Sequence, residues 1–418
     1  MTLKKLASGS THPPQARQDA PLPVDLASFD VSPERGFLPR RDPLATLPHR
    51  WPPILNDLAL ALPKLLAARQ LRAYVDALRE SWSTGLGNRG LDELRSAARI
   101  LSFAGHAYVW EDPHQPVDRI PASLAVPWYH VMKKLGRPPV LSYASYALDN
   151  WRRLDPTRPI ELGNITLLQN FLGGLDEEWF VLVHVDIEAK AGKALAGIAQ
   201  ALRATADDNP DVVMRCLHTV ASAEEQMLHT LLRMPERCDP YIYYTRVRPY
   251  IHGWKDNPIL PRGVVYEGVK DFRGAAQHFR GETGAQSSII PALDAAFGVP
   301  HAEDPLRQYL AEMRKYMPPK HRAFIEAVER SKDASERALL YGYVRDRRER
   351  HPKLWEAFRD CVRLLARFRE THLDYADRYI HQQHQRSASN PTGVGTGGTP
   401  FMAYLKKHLE ETERFLKN

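Results

Sequence analysis

His372 is the residue in this sequence whose surroundings point most directly to chemistry. It stands within a predicted helix whose apolar stripe recurs at spacings of three and four residues: Phe358, Cys361, Leu365, Phe368, Ala376 and Tyr379. A protonated imidazole is costly to bury there, so we expect His372 to be neutral. A neutral imidazole can bind haem iron through one nitrogen while the other bonds a neighbouring group. On periodicity alone, a core histidine bonded to a carbonyl group or a water is the more frequent arrangement.

Two arginines lie where they could bind a carboxylate. Arg248 follows Tyr243 and Tyr244 by five and four residues, and this grouping could hold an aromatic amino acid by stacking and an ion pair. Arg369 precedes His372 by three residues and could face a propionate. A helix end packed on the core and an arginine on the surface are the alternative interpretations.

Two further features are weaker signals. His184 lies on an apolar helix face and is either a pocket residue or a core histidine. The small, polar segment 279–288 precedes a helix that begins near Ile289, so its backbone could approach a flat cofactor or an anionic group. It could also be an ordinary loop with Ser287 or Ser288 as the helix cap. HExxH zinc and GxSxG nucleophile motifs are missing from the sequence.

The elements that must position these residues are predicted to be helices. Strand-like alternation is scarce, and the pattern therefore predicts an all-α fold. Apolar stripes of helical period run through residues 55–78, 91–101, 179–202, 353–385 and 401–416. Pro63 is expected to kink or restart the first of these helices.

Proline content divides the chain. Residues 1–50 contain eight prolines, so we predict a disordered tail over 1–25 and an extended arm over 26–53. The sequence Arg137-Pro138-Pro139 marks a boundary near residue 136. The predicted domains are a small N-terminal helical domain, 26–136, and a large helical domain, 137–418.

Composition excludes several classes of protein. The 418 residues are 43% hydrophobic and 26% charged, as in a globular protein. The net charge of +7 is spread among interleaved acidic and basic residues, so we expect no nucleic-acid partner. There is no run of about 18 apolar residues, and we expect no membrane span and no secretory signal. Three widely spaced cysteines fit a reducing cytoplasm.

The order and spacing of several motifs resemble the indoleamine 2,3-dioxygenase family over nearly all of the chain after residue 29. The motifs are FDVSPERGFLP at 29–39, RPPVLSY at 137–143, NWR at 150–152, GWKDNP at 253–258, YEG at 266–268, GETGAQSS at 281–288, MRKYMPPKHR at 313–322, RETH at 369–372 and GTGGT at 395–399. The resemblance implies a haem b protein in which the large helical domain binds the cofactor.

The resemblance also implies a role for individual residues. His372 would be the proximal iron ligand, while Arg369 would meet a propionate with the support of Asp294. The other implied positions are Tyr143, Tyr146 and Tyr243 around the indole, Arg248 at the substrate carboxylate, Thr283 beside the haem edge with its neighbours Gly281, Glu282 and Gly284, and Thr396 on a mobile loop that closes over the substrate.

Three positions depart from the better-known members of the family. His184 stands where a serine is usual, Tyr243 replaces a phenylalanine, and Glu282 replaces a glycine. His184 could contact the indole N–H, as a distal imidazole does in the related tryptophan 2,3-dioxygenases. Equally, His184 and Glu282 could adapt the pocket to a different indole compound.

The implied activity is oxidative opening of the indole ring of L-tryptophan or a related indoleamine to an N-formylkynurenine-type product. Dioxygen would be the co-substrate, and the protein would be a monomer. The altered distal residues leave a second hypothesis, in which a haem enzyme of specialised metabolism oxygenates or rearranges a modified tryptophan. A non-enzymatic haem or gas sensor is a third, against which Arg248 and the Gly/Thr loop argue. A helical scaffold without haem is the fourth.

Overall fold

Helices make up most of the computed structural model, which describes residues 22–78, 89–386, 395–398 and 401–417. This part of the chain forms fourteen α-helices. They are α1 Pro53–Ala67, α2 Leu71–Asp76, α3 Leu91–Val109, α4 Ala122–Leu135, α5 Leu175–Ala206, α6 Pro210–Leu232, α7 Pro240–Ile242, α8 Ile289–Phe297, α9 Pro305–Met313, α10 Pro319–Arg330, α11 Leu339–Asp346, α12 Pro352–Ala376, α13 Gln382–Arg386 and α14 Phe401–Lys417. The predicted all-α class is therefore confirmed.

Strands are confined to two small ribbons within the described residues. β1 Arg119–Ile120 pairs in parallel with β4 Val265–Tyr266, and β2 Trp151–Arg153 pairs antiparallel with β3 Ile165–Leu167. Both ribbons are too short to form a layer of their own, and they join loops between helices.

The N-terminal helices share one apolar core with later segments. Leu55, Leu58 and Leu62 of α1 are fully buried in this core. Residues of α3 and α4 belong to the same core. The same cluster includes Tyr250 and Trp254, which lie far along the chain. Side chains from both sides of residue 136 thus pack in the same core. The domain boundary near this residue remains a prediction.

Helix α1 continues through Pro63 and does not restart there. Proline lacks the amide hydrogen that would bond the carbonyl group four residues earlier. Here the Ala59 carbonyl accepts a hydrogen bond from Gln169 Nε2 at 3.1 Å instead. A side chain from a distant loop thus satisfies the carbonyl group that Pro63 leaves open, and the helix is preserved.

Helices α5, α6 and α12 form the second core, and α6 packs against both of the others. Helix α6 begins at Pro210, and the side chain of Asn209 caps it by accepting from Val212 N at 3.1 Å. At Gly197 of α5, an added Cβ would come within 2.8 Å of Val220 on α6. This close approach fixes α5 against α6.

Within the described ranges, three π-type turns interrupt the helical geometry, at Ala144–Leu148, Tyr243–Val247 and Asp377–His381. The third divides the helix that the sequence predicts over 353–385 into α12 and α13. A π-turn has one extra residue, so it changes the direction of the side chains that follow. The first two turns contain the pocket candidates Tyr146 and Tyr243.

The N-terminal arm lies against α5. Its turn from Ser32 to Gly36 brings three backbone atoms of the arm close to Gly192, at 2.5 to 2.7 Å from where a Cβ would stand. Gly36 has a φ of +58°, a conformation that favours glycine. Most of the predicted disordered tail, residues 1–21, lies outside the described residues.

The three cysteines are buried and unpaired. In the part of the chain that the structure describes, every helix is too short or too polar to cross a lipid bilayer.

Replacement of Gly192 by alanine is expected to lift the arm from α5, because the new methyl group meets backbone atoms that cannot rotate away. Overpacking of this kind typically costs about 1–3 kcal/mol of unfolding free energy. Urea unfolding would measure it, with Lys193→Ala on the exposed side of the same helix as the control. The control should change the free energy of unfolding by less than about 0.5 kcal/mol. Equal stability of Gly192→Ala and wild type would contradict the tight contact.

Candidate functional site

His372 lies on α12, within electrostatic reach of His184 on α5. The surrounding protein desolvates the imidazole, and His184 adds to the effect, so the pKa of His372 falls to about 4. The same side chain nevertheless has a large uncovered surface. Both observations fit an imidazole that is crowded by protein on all sides except one, where it faces a void. The ring is neutral at physiological pH and can offer a nitrogen lone pair to a metal ion.

His184 of α5 is within electrostatic reach of His372. Its Nδ1 lies 2.7 Å from the carbonyl oxygen of Phe180, one turn earlier on the same helix. A carbonyl oxygen only accepts, so Nδ1 must carry the proton. Burial lowers the pKa of His184 despite this bond, and the ring is neutral. Its Nε2 is therefore a bare acceptor, suited to an N–H group of a ligand.

Phe180 is the centre of an aromatic wall beside His184. Its ring centroid lies 4.6 Å from that of Tyr243, 4.7 Å from His184 and 6.4 Å from Tyr146. Tyr143 meets His184 edge-on at 5.9 Å. Sequence reasoning placed Phe180 on the helix face but assigned it no role. Its spacing of four residues from His184 was the signal that could have identified it.

Arg248 begins a short 3-10 turn, Arg248–Ile251, directly after the π-turn that contains Tyr243. The arginine side chain is fully buried, and burial lowers its pKa. Its guanidinium lies over the ring of Tyr244, 5.4 Å from the centroid. A buried guanidinium beside aromatic rings is a favourable site for a carboxylate.

The loop that contains Gly281 is held by backbone contacts. A Cβ on Gly281 or on Gly253 would overlap the backbone of the other segment, so both positions require glycine. Gln286 ties the loop further, because its Nε2 donates to the Gly281 carbonyl at 2.8 Å and its Oε1 accepts from Tyr143 N at 2.9 Å. The loop is thus fixed relative to the aromatic wall.

Thr283 and Thr396 have local structural partners in the described chain. Thr283 caps the 3-10 turn Gly284–Gln286. Ser288 precedes α8, but its side chain forms no capping hydrogen bond. Of the two serines expected as caps, Ser287 forms a weak one, because its Oγ accepts from Ile289 N. Thr396 Oγ1 donates to the Glu282 carbonyl at 2.5 Å. The segment that contains Thr396 therefore contacts the Gly281 loop directly.

Two buried carboxyl groups belong to the same region. Burial raises the pKa of Glu282 to about 8. Burial also raises the pKa of Glu188 to about 7, against the opposing effect of bonds from Ser287 and Tyr143. Ser287 Oγ donates to Glu188 at 2.8 Å. Sequence reasoning missed Glu188, although it lies one helical turn beyond His184 and faces the same way.

Arg369 and Asp294 form a buried ion pair at 2.6 Å on the side of α12 that faces α14. Arg369 also donates to Thr412 of α14. Asp294 accepts from His301 at 3.1 Å, and His301 in turn contacts Glu411 of α14 at 2.7 Å. This chain of charges joins α8, α12 and α14.

The structure thus brings most of the predicted residues to one region, around the space that His372 and His184 face. Gly284 is exposed, and no Cβ contact restrains it. Arg369 lies one turn before His372 on α12, and its side chain forms an ion pair with Asp294 of α8. The donor set suits an iron porphyrin, because a neutral imidazole has an uncovered face and a buried arginine lies one turn away on the same helix.

Comparison with known proteins gives a consistent result. A family model described as indoleamine 2,3-dioxygenase matches residues 25–415. Indoleamine 2,3-dioxygenase 2 of Homo sapiens is 32% identical over 94% of this chain and 95% of its own length. Indoleamine 2,3-dioxygenase acdA of Aspergillus candidus is 34% identical over 92% of this chain and 95% of its own. Indoleamine 2,3-dioxygenase of Saccharomyces cerevisiae is 33% identical over 94% and 93%.

The attachment of α14 is expected to weaken as the pH rises. Burial opposes protonation of His301, but its bonds to Asp294 and Glu411 outweigh burial and raise its pKa above 6.5. A raised pKa in the folded state stabilises the protein below the unfolded pKa, and this contribution is lost as the pH rises through the folded pKa.

Urea unfolding near pH 6 and near pH 9 would test this expectation. Wild type should lose more unfolding free energy between the two pH values than His301→Gln, while His114→Gln, an exposed control, should behave as wild type. A His301→Gln variant with the pH dependence of wild type would argue against the ionic link.

Proposed function

This chain belongs to the indoleamine 2,3-dioxygenase family, and we propose that it opens the indole ring of L-tryptophan or a related indoleamine with dioxygen, giving an N-formylkynurenine-type product. Family membership makes the protein an enzyme of the oxidoreductase class. Haem b is the proposed cofactor, and the identities of the substrate and of the product are also proposed.

One observation carries the proposal: two neutral imidazoles, from α5 and α12, lie within electrostatic reach of each other beside an aromatic wall. His372 has bare surface and suits the role of axial iron ligand. His184 has a bare Nε2 acceptor and suits the role of a group that orients the indole N–H. This pair suits an iron porphyrin with an indole compound bound beside it.

Other residues would hold the cofactor. Arg369, with Asp294 beside it, offers a cation near one propionate. Gly284, which has open space where a Cβ would stand, would let the backbone approach a flat ring, and Gly281, Thr283 and Glu282 would lie beside its edge. When bound, haem supplies the activation of dioxygen, and the protein supplies orientation and an environment that excludes water.

The substrate would lie against the aromatic wall. Tyr143, Tyr146 and Tyr243 would enclose the indole ring, and Arg248 would bind the carboxylate. His184 Nε2 would accept the indole N–H and so hold the ring in one orientation. Thr396, through its bond to the Glu282 carbonyl, would close the segment that covers the substrate.

A second candidate keeps the haem and changes the reaction. The imidazole of His184, the hydroxyl of Tyr243 and the carboxyl of Glu282 add polar groups to the pocket, which favours oxygenation or rearrangement of a modified tryptophan as the alternative. A haem or gas sensor stays a third hypothesis, and the buried Arg248 argues against it. The monomeric state, the cytoplasmic location and the absence of a nucleic-acid partner remain predictions.

Aerobic incubation of reduced, haem-loaded protein with L-tryptophan tests the reaction. The product is expected to have the mass of tryptophan plus two oxygen atoms, because both atoms of dioxygen enter the ring. A gain of one oxygen atom would favour the second candidate. Haem-loaded protein that converts no indole compound would favour the sensor.

Replacement of His372 by alanine is expected to abolish haem retention, since the variant lacks the neutral imidazole that faces the void. The measurement is the Soret absorbance per protein after desalting. The control is His218→Ala, an exposed histidine of α6. Circular dichroism should show that both variants stay helical. A folded His372→Ala protein with full haem content would refute the ligand assignment.

A further inference from the structure

Glu282 is a buried acid without a compensating charge. Its side chain is only 4% exposed, and burial is the one influence on its ionisation that arises from the described residues. Among those residues, its carboxyl oxygens form no ion pair and accept no hydrogen bond. A buried carboxyl in this state is costly to ionise. Such a group is commonly retained at a functional site because a ligand completes it.

Hydrogen bonds hold the backbone of Glu282 on both sides of the residue. Its amide N donates to the Ile251 carbonyl at 3.1 Å, and its carbonyl accepts from Thr396 at 2.5 Å. The preceding Gly281 is locked against Gly253. Both peptide groups of Glu282 are therefore fixed, and the direction in which its Cα–Cβ bond points is fixed with them.

Three tyrosines of the pocket lie within electrostatic reach of the carboxyl. Tyr143, Tyr146 and Tyr243 all interact electrostatically with Glu282. Burial raises the pKa of each phenol, so all three are neutral. Tyr143 also contacts Glu188.

Tyr243 links Glu282 to the cation of the pocket. Its hydroxyl interacts with both Glu282 and Arg248. Glu282 and Arg248 have no resolved interaction with each other, and so they do not neutralise each other. The pocket thus offers a carboxyl group and a guanidinium cation, both within electrostatic reach of one phenol.

We propose that Glu282 determines substrate specificity by binding the ammonium group of an amine-bearing indole. This inference rests on the proposed function, since it assumes that an indole occupies the aromatic wall. The carboxyl supplies the negative charge for the ammonium group, and Arg248 supplies the positive charge for a carboxylate. An α-amino acid satisfies both side chains, whereas an indolylalkylamine satisfies Glu282 alone.

Binding of an ammonium group would change the protonation of the Glu282 carboxyl. With a pKa of about 8, Glu282 carries a proton at neutral pH in the free protein. An ammonium group beside the carboxyl favours its ionised form, so the proton leaves to the buffer as the ion pair forms. Amine-bearing ligands should therefore release close to one proton on binding at pH 7, and amine-free ligands should release none.

Calorimetric titration of haem-loaded protein measures both affinity and proton release, by comparison of buffers with different ionisation enthalpies. The ligands are L-tryptophan, tryptamine, which lacks the carboxylate, and indole-3-propionate, which lacks the amine. Glu282→Gln should weaken binding of the two amines about tenfold or more, abolish proton release and leave indole-3-propionate within about twofold. Arg248→Ala should weaken the two carboxylates instead.

Glu188→Gln is the matched control, because it removes a second buried carboxyl whose partners are Ser287 and Tyr143. It should retain both the preference for amines and the proton release. Equal affinity of wild type and Glu282→Gln for tryptamine, or proton release that persists in Glu282→Gln, would overturn the assignment while leaving the proposed function intact. If wild type bound none of the three indoles, the proposed function would fail and this inference with it.

Discussion

Desolvation governs the chemistry of the pocket, because the groups that line it are enclosed by protein and have few opposite charges near them. The imidazoles of His372 and His184 lose their protons and become bases, while the carboxyl of Glu282 keeps its proton. Burial of these polar groups destabilises the folded state, and the packing of the two large apolar cores offsets this cost. The result is an interior of neutral acids and bases that can respond to a charged ligand.

The helical framework makes this interior possible. The two imidazoles belong to α5 and α12, and α6 packs against both helices, so the distance between them depends on those two contacts. The approach of α5 to α6 at Gly197 leaves no room for a side chain. On its other side, α12 is tied to α14 by Arg369 and Thr412. The space between the imidazoles therefore has rigid walls, as ligand orientation requires.

Much of this arrangement could be predicted from the sequence. The period of 3.6 residues identified α1, α5, α12 and α14, since long amphipathic helices carry a strong signal. The same period could not predict the π-turns near Tyr146 and Tyr243, because a single extra residue leaves no mark in a hydrophobic pattern. Continuation of α1 through Pro63 was also hidden, since it depends on Gln169 from a distant loop.

The site residues divide in the same way. Resemblance to a family pointed to His372 and Arg248, whose positions are fixed by motif. It could not show that the Glu282 carboxyl lacks an opposite charge, because that depends on contacts between segments remote in sequence. Phe180 and Glu188 were missed for a related reason. An apolar residue and an acid on a long helix are common, and only tertiary packing makes these two unusual.

The contact between Gly253 and Gly281 has an evolutionary consequence. The loop is anchored by backbone hydrogen bonds and by the close contact of these two glycines, neither of which has a side chain. The neighbouring residue 282 contributes only backbone atoms to that anchor, so its side chain can vary without displacing the loop. Mutation at this position can therefore change which molecules the pocket accepts while the scaffold stays the same. Selection for new chemistry and selection for a stable fold act there on different atoms.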